Sequence, residues 1–375
     1  MEWKVPLFKI YFDDTDINNV TEAIKSGKNW AIGANIEEFE KNLSAYVGPR
    51  YCTTFNSGTS ALHAVLMAYG IGTGDEVIVP SFTFIATANA PLFVGAKPVF
   101  ADIEEETFGL DPNDVAEKIT PKTKAIMPIH YGGCPCKIKE LKEIADDHNL
   151  LLIEDAAESL GAKYGGQNVG TFGDAAMLSF CQNKIITTGE GGAIVTESKE
   201  IYEKLKLIRS HGRLETCDYF SSTELFDFFN LGYNFRMSNI VAALGIAQLA
   251  KANKIIQMRR NHATTYIKKL KPYQDRMVIN TYSEKYHHVY QLFSIRVKKR
   301  NELMKYLADA GIMTKIYFPP VHMTYFYNNI LKYQCNLPIT MKVSSDILSL
   351  PFYPAMTYNE IDYVIESINQ FYSVT

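Results

Sequence analysis

Leu150-Leu151-Leu152-Ile153-Glu154-Asp155 is a short apolar run that ends in two carboxylates. A continuous apolar run of this length is typical of a β-strand that is buried on both faces. Similar runs occur between residues 50 and 250, and helical patterns separate most of them. This alternation predicts an α/β fold in which a seven-stranded, mostly parallel sheet lies between helices. The predicted strands are Cys52–Phe55, Glu76–Val79, Pro98–Ala101, Ala125–Pro128, Leu150–Glu154, Ala176–Ser179 and Ala193–Thr196.

The pattern of elements changes near residue 250. A smaller C-terminal α+β domain at residues 251–375 is therefore predicted beside a large domain at residues 1–250. An N-terminal helix at Asp16–Ser26 is expected to pack beside one of the two domains. The predicted C-terminal elements are a helix at Ile255–Leu270, a strand at Val289–Val297, a helix at Asn301–Ala310, a strand at Ile312–Phe318, and helices near Val343 and Asn359.

Composition excludes several classes of protein. The chain has 375 residues, of which 47% are apolar and 21% charged, with a net charge of −3, so neither a nucleic-acid-binding surface nor a disordered tail is indicated. The longest apolar stretch, Ile240–Ala250, is far shorter than the ~20 residues that cross a bilayer. The first residues lack the pattern of a secretory signal, which favours a cytoplasmic location.

The six cysteines are sparse for this length, so reduced thiols are expected. Cys134-Pro135-Cys136 contains the only close pair, and its spacing is not that of zinc ligands. No metal site is predicted. The cysteines are Cys52, Cys134, Cys136, Cys181, Cys217 and Cys335.

Two residues after predicted strands carry the chemistry. Asp155 follows the strand Leu150–Glu154 at the sheet edge where ligands of parallel sheets collect, and Glu154 points to the opposite face. Lys184 lies in a polar stretch before the glycine-rich segment Gly189–Gly192. A lysine that can form a Schiff base and a carboxylate that can bind a pyridinium nitrogen are what pyridoxal phosphate (PLP) requires. Singly, these residues would be read as a helix cap and a surface lysine, but together they indicate a PLP-dependent enzyme.

Small hydroxyl residues between a predicted strand and helix suggest a phosphate site. Ser57-Gly58-Thr59-Ser60 precedes a helical pattern at Ala61–Tyr69, where free backbone N–H groups can bind an anion. Taken alone, these residues are more often an ordinary helix cap, because serine and threonine are favoured there. Ser179 could supply a further hydroxyl, and Phe84 could stack on a flat cofactor or pack in the core.

Together these motifs resemble the DegT/DnrJ/EryC1/StrS family of sugar-nucleotide aminotransferases, which are fold-type I PLP enzymes. The resemblance extends from about Pro6 to the C-terminus, and the ordered set of motifs is more specific than any one of them. The matching segments are Asn56–Leu62, Pro80–Phe84, Ile153–Glu158, Phe180–Gly192 and Gly232–Met237.

The resemblance implies a role for each matching residue. Lys184 would bind PLP as an internal aldimine, Asp155 would contact the pyridine nitrogen, and Phe84 would stack on the ring. Asn234 would reach the phosphate of a neighbouring subunit, so the active sites would be shared across a homodimer. The other implied cofactor contacts are Gly58, Thr59, Ser60, Ala157, Glu158 and Ser179, and the implied substrate contacts are Trp30, Tyr317 and His322. His322 could equally be a surface loop histidine, because it follows Pro319-Pro320.

The resemblance also implies an activity. Relatives with histidine in place of Lys184 remove a hydroxyl, whereas the lysine favours transamination. Asn183–Gly192 is most similar to enzymes that aminate C4 of a 4-keto-6-deoxyhexose, such as perosamine synthases. The implied reaction moves an amino group from glutamate to a nucleotide-linked keto sugar for polysaccharide biosynthesis. Cys181-Gln182 and Trp30–Gly33 differ from many C4 enzymes, so a C3 aminotransferase is the alternative.

The sequence disfavours three other functions. A PLP-dependent sugar dehydratase is disfavoured by Lys184, and a non-catalytic regulatory protein by the intact set of lysine, aspartate and phosphate residues. A nicotinamide-binding enzyme is disfavoured because no Gly-x-Gly-x-x-Gly connects a predicted strand to a helix.

Overall fold

A seven-stranded sheet lies at the centre of the computed structural model, which describes residues 3–214, 223 and 225–374. The described strands are β1 (Tyr51–Phe55), β2 (Glu76–Pro80), β3 (Lys97–Ala101), β4 (Thr123–Ile126), β5 (Leu151–Asp155), β6 (Lys163–Tyr164), β7 (Gln167–Asn168), β8 (Ala175–Ser179), β9 (Gly192–Thr196), β10 (Met277–Val278), β11 (Tyr286–His287), β12 (Ser294–Val297) and β13 (Ile347–Ser349). The described helices are α1 (Asp14–Lys25), α2 (Ala34–Val47), α3 (Gly58–Ala68), α4 (Ile85–Phe93), α5 (Pro112–Lys118), α6 (Ile138–Asp147), α7 (Lys199–Arg209), α8 (Asn239–Ala250), α9 (Ala252–Leu270), α10 (Arg300–Asp309), α11 (Pro338–Asp346) and α12 (Tyr358–Val374).

The central sheet has the order β1-β9-β8-β5-β4-β2-β3. Strand β9 is antiparallel to both of its neighbours, and the other pairings are parallel. The predicted seven-stranded, mostly parallel α/β sheet is therefore confirmed, with strand ends shifted by one or two residues. Because β8 and β9 are antiparallel, the loop between them starts at the edge where the parallel strands end. That loop contains Lys184.

Both faces of the sheet are covered by helices. Met177 of β8 packs in a cluster with residues of α3, α4 and α7, whereas its neighbours Ala176 and Leu178 pack against α2, α8 and α9. A third cluster joins β2, β4 and β5 to α5 and α6. This two-sided burial explains why the strands are continuous apolar runs with little alternation.

The C-terminal part of the chain has its own hydrophobic cluster and the three-stranded sheet β10-β12-β13. The predicted strand Ile312–Phe318 is wrong, because it forms only two isolated bridges, from Ile312 to Val5 and from Lys315 to Ser349. The predicted strand Val289–Val297 is shortened to β12, since Tyr290 has a positive φ of 52° that interrupts extended backbone. The division into domains 1–250 and 251–375 stays a prediction.

Helix α1, predicted at Asp16–Ser26, packs against α8. Asp16 is buried and accepts hydrogen bonds from Gln248 Nε2 at 2.9 Å and from Lys251 Nζ at 2.6 Å. Gln248 Nε2 also donates to the carbonyl of Tyr11, so one glutamine ties the N-terminal segment to α8.

Cys52, Cys134, Cys136, Cys181 and Cys335 are free thiols, and Cys217 lies outside the described residues. Within the described ranges, no cluster of histidine, cysteine, aspartate and glutamate side chains has the grouping needed to ligate a metal ion. The helices that the structure describes include none with the length and apolar character required to span a membrane.

Candidate active site

A cavity of about 420 Å³ lies at the edge where β5 and β8 end. Strand β5 contributes Asp155 and β8 contributes Ser179, while the start of α3 forms a further wall. The predicted site residues Gly58, Thr59, Phe84, Ala157, Glu158, Lys184 and Tyr317 also line it. The topology therefore brings together residues that are far apart in the chain.

Asp155 lies at the base of the cavity with an exposed fraction of only 2%. Its Oδ2 accepts a hydrogen bond from Thr87 Oγ1 at 2.7 Å, and its Oδ1 accepts one from Ala157 N at 3.1 Å. Burial raises the pKa of this carboxyl, although both hydrogen bonds oppose the shift. A buried carboxylate with a raised pKa is stabilised by a cation that enters the cavity.

Glu154 points to the other face of the sheet, as the alternation of side chains predicts. It is fully buried and accepts hydrogen bonds from the backbone N–H groups of Gly170, Phe172 and Gly173 at 2.8–2.9 Å. His130 Nε2 lies 3.0 Å from Glu154 Oε2. Glu154 therefore fixes a loop, and Asp155 is the carboxylate that faces the cavity.

Lys184 extends from the β8–β9 loop into the cavity. Its Nζ lies 3.3 Å from Glu158 Oε1, and its side chain is 14% exposed. The other carboxylate oxygen of Glu158 accepts a hydrogen bond from Gly132 N at 2.8 Å. Lys184 N donates to the carbonyl of Cys181 at 2.9 Å, which closes a turn. The amine is thus directed toward the same cavity as Asp155.

Two buried glutamines anchor the lysine loop. Gln291 Nε2 donates to the carbonyl of Asn183, the residue before Lys184. Gln248 Oε1 accepts from Thr187 N at 3.4 Å. Neither glutamine was singled out from the sequence, because their contacts join segments that are 61 and 108 residues apart.

The structure at the start of α3 is compatible with both interpretations of Ser57-Gly58-Thr59-Ser60, a helix cap and a phosphate site. Ser57 is the N-cap, and its Oγ accepts from Ser60 N at 3.1 Å, so the helix cap exists. Ser57, Gly58 and Thr59 nevertheless line the cavity, and first-turn N–H groups have no partner within a helix. A Cβ at Gly58 would lie 3.0 Å from Met177 Sδ, so a side chain there would crowd this wall. Ser60, by contrast, lies outside the cavity lining.

The two phenylalanines near the end of β2 have different environments. Phe82 is fully buried and packs against Tyr131 and Phe108, so the core interpretation applies to it. Phe84 is the N-cap of α4, is 57% exposed and lines the cavity. An exposed aromatic ring in a cavity wall is available to stack on a flat ligand.

The remaining predicted residues are dispersed. Tyr317 lines the cavity, whereas Trp30 is exposed and donates from Nε1 to the carbonyl of Ile24 at 3.3 Å. His322 is buried, with Nδ1 2.6 Å from Ser81 Oγ, so its interpretation as a surface loop histidine is wrong. Asn234 lies outside the cavity lining of its own chain.

The residues around the cavity fit PLP. A buried carboxylate and a lysine amine line the same cavity, a helix start with small residues forms one wall, and an exposed aromatic ring forms another part of the lining. The sheet and this site define a PLP-dependent transferase of fold type I.

Comparison with known proteins identifies the family. Residues 11–369 match the DegT/DnrJ/EryC1/StrS aminotransferase family, and the chain belongs to it. The chain is 38% identical over 372 residues to GDP-perosamine synthase of Escherichia coli O157:H7, covering 98% of this chain and 99% of that protein. It is 36% identical over 345 residues to dTDP-3-amino-3,6-dideoxy-alpha-D-galactopyranose transaminase of Aneurinibacillus thermoaerophilus, covering 91% of each. The structure of S. venezuelae DesV in complex with a ketimine intermediate has a TM-score of 0.91 and 31% identity, covering 99% of both chains.

Proposed function

We propose that this enzyme uses PLP bound at Lys184 to transfer an amino group from glutamate to C4 of a nucleotide-linked keto-6-deoxyhexose. The observation that carries the proposal is the single cavity that contains both the Lys184 amine and the buried Asp155 carboxylate. The similarity to a GDP-perosamine synthase along nearly the whole chain supports the C4 position. A C3 reaction is the second candidate, favoured by the similarity to the dTDP-3-amino sugar transaminase.

The residues have separate tasks in this reaction. When bound, PLP supplies an electron sink that allows an amino group to leave one carbon skeleton and join another. Asp155, which is buried, would bind and orient the protonated ring nitrogen away from water. The start of α3 and Ser179, which line the cavity, would bind the phosphate, and Phe84 would stack on the ring.

Lys184 acts twice. Its Nζ would attach the cofactor covalently, and the same amine, when free, would serve as the base that takes the proton from Cα of the amino donor. Glu158, 3.3 Å from that nitrogen, accepts a hydrogen bond from the ammonium form and keeps it directed into the cavity. The chain thereby keeps one base beside the reacting carbon in both halves of the reaction.

We further propose a homodimer in which Asn234 reaches the phosphate in the neighbouring copy. Asn234 lies outside the cavity of its own chain, which such a role requires. Its carbonyl accepts a hydrogen bond from Asn56 Nδ2 at 3.2 Å, which holds its backbone near the start of α3. Mixed dimers of Asn234→Ala and Lys184→Ala subunits should regain part of the activity that each homodimer lacks.

The function is tested by incubating PLP-loaded protein with glutamate and a panel of 3-keto and 4-keto sugar nucleotides. The proposal predicts 2-oxoglutarate and a new amine at C4, located by NMR, and no product from Lys184→Ala. An amine at C3 would select the second candidate. Release of ammonia with loss of a hydroxyl would indicate a dehydratase, and the absence of any amine transfer would refute the proposal.

A further inference from the structure

The charged side chains of the cavity do not balance the charge of the proposed substrates. Three acidic residues, Asp155, Glu158 and Glu190, line the cavity together with two basic residues, Lys184 and Lys315. Both proposed substrates are anions, since one is an amino dicarboxylate and the other carries a nucleotide diphosphate. An anion that binds in a cavity lined by more carboxylates than cations requires a cationic side chain for specific binding.

Lys315 is the cation that is available. Lys184 is paired with Glu158 and is required for the cofactor. Among the residues that the structure describes, Lys315 makes no ion pair. It is exposed and lines the cavity, so its ammonium is accessible to a ligand that binds there.

The position of Lys315 is fixed by its surroundings. Its backbone N donates to the carbonyl of Ser349 at 3.1 Å, and Ser349 N donates back to the Lys315 carbonyl at 2.8 Å. Its Nζ lies 5.2 Å from the centroid of the Tyr317 ring, which also lines the cavity. The two hydrogen bonds fix the backbone at Lys315, and the Tyr317 ring keeps its ammonium beside the cavity wall.

We infer that Lys315 is a specificity-determining residue that binds an anionic group of the substrates, a carboxylate or a phosphate. An ammonium group is a compact charge with three donors and binds either group. The inference rests on the proposed function, because that function defines which anions enter the cavity. It adds a substrate contact that lies outside the residues predicted from the sequence.

The two sources of the anion are separated by the two half-reactions. Conversion of the PLP form by glutamate is measured by its change in absorbance. Conversion of the pyridoxamine form by the keto-sugar nucleotide is measured by the opposite change in absorbance. Lys315→Gln should raise the half-saturating concentration of one substrate about 10-fold to 100-fold, as expected for the loss of a charge-assisted hydrogen bond. A higher half-saturating concentration of glutamate would show that Lys315 binds a carboxylate. A higher half-saturating concentration of the keto-sugar nucleotide would show that Lys315 binds a phosphate. A change in both indicates that the substrates use the ammonium in turn.

Controls separate charge from packing. Lys315→Arg should restore most of the binding, and Lys332→Gln, an exposed lysine in a different surface groove, should behave as wild type. Raising the ionic strength should weaken substrate binding in wild type and have less effect in Lys315→Gln.

The inference is overturned if both half-saturating concentrations of Lys315→Gln stay within about twofold of wild type, or if Lys315→Arg fails to restore binding. Each variant is first shown to bind PLP with the wild-type absorbance spectrum, so that misfolding is detected separately. A wild-type protein that completes neither half-reaction would instead refute the proposed function itself.

Discussion

Thr87 offers the sharpest test of how the cavity tunes Asp155. A carboxylate only accepts hydrogen bonds, so the single hydroxyl proton of Thr87 is directed to Asp155 Oδ2, at 2.7 Å. Thr83 Oγ1, also 2.7 Å from Thr87 Oγ1, must then be the donor in the second contact. Thr87→Val preserves the shape of the side chain and removes both contacts from a site that is fully buried.

The expected loss follows from the charge of the acceptor. A hydrogen bond to a charged group contributes about 1.5–3 kcal/mol, and here that contribution favours the ionised form of Asp155. At a pH where Asp155 is ionised in wild type and protonated in Thr87→Val, PLP should therefore bind up to about 10-fold to 150-fold more weakly to the variant. The pH dependence should change as well. Burial already raises the pKa of Asp155, and the Thr87 bond opposes that shift, so the variant should have a higher pKa still.

The direction in which PLP affinity changes with pH follows from the pyridinium cation that Asp155 would bind. A protonated carboxyl does not neutralise a pyridinium, so PLP affinity is present at high pH and is lost as the pH falls through the pKa of Asp155. In Thr87→Val this loss should occur at a higher pH than in wild type. PLP titrations followed by absorbance at a series of pH values would measure both effects. Thr87→Ser, which keeps the hydroxyl, is the matched control. Equal affinity and an equal pH midpoint in wild type and Thr87→Val would refute the reasoning.

Two further substitutions test other parts of the site. Asp155→Asn, which cannot carry the negative charge, should weaken PLP binding and slow turnover, and a near wild-type rate in a stopped-flow assay would argue against its role. Gln291→Leu should free the Asn183 carbonyl and lower kcat with little change in KM, because the lysine loop loses an anchor while the substrate contacts stay. Gln257→Leu, an exposed glutamine bonded to Asn261, is its control, and equal kcat values for the two variants would contradict an anchoring role.

The sheet was predictable from the sequence because burial on both faces produces long apolar runs that end in polar residues. The same logic located Asp155 and Lys184, since the ends of parallel strands share one edge. The alternation of side chains along a strand also predicted that Glu154 points to the opposite face of the sheet from Asp155. The prediction of a strand at Ile312–Phe318 is wrong because the apolar residues of this segment pack in two different clusters. Its backbone forms bridges at Ile312 and Lys315 and no continuous strand pairing.

The supporting contacts of the site were not predictable. Thr87 lies 68 residues from Asp155, and Gln291 lies 108 residues from Asn183, with no local pattern that marks either residue. His322 resembled a loop residue after two prolines, yet it is buried against Ser81. Such contacts depend on the tertiary arrangement of helices, which periodicity along the chain does not encode.

Covalent attachment of PLP at Lys184 is the central claim, and borohydride reduction measures it directly. Treatment of the PLP-loaded protein with borohydride, followed by proteolysis and mass spectrometry, should place a phosphopyridoxyl group on the peptide that contains Lys184. Modification of another lysine, such as Lys315, or the absence of any modified peptide would contradict the account.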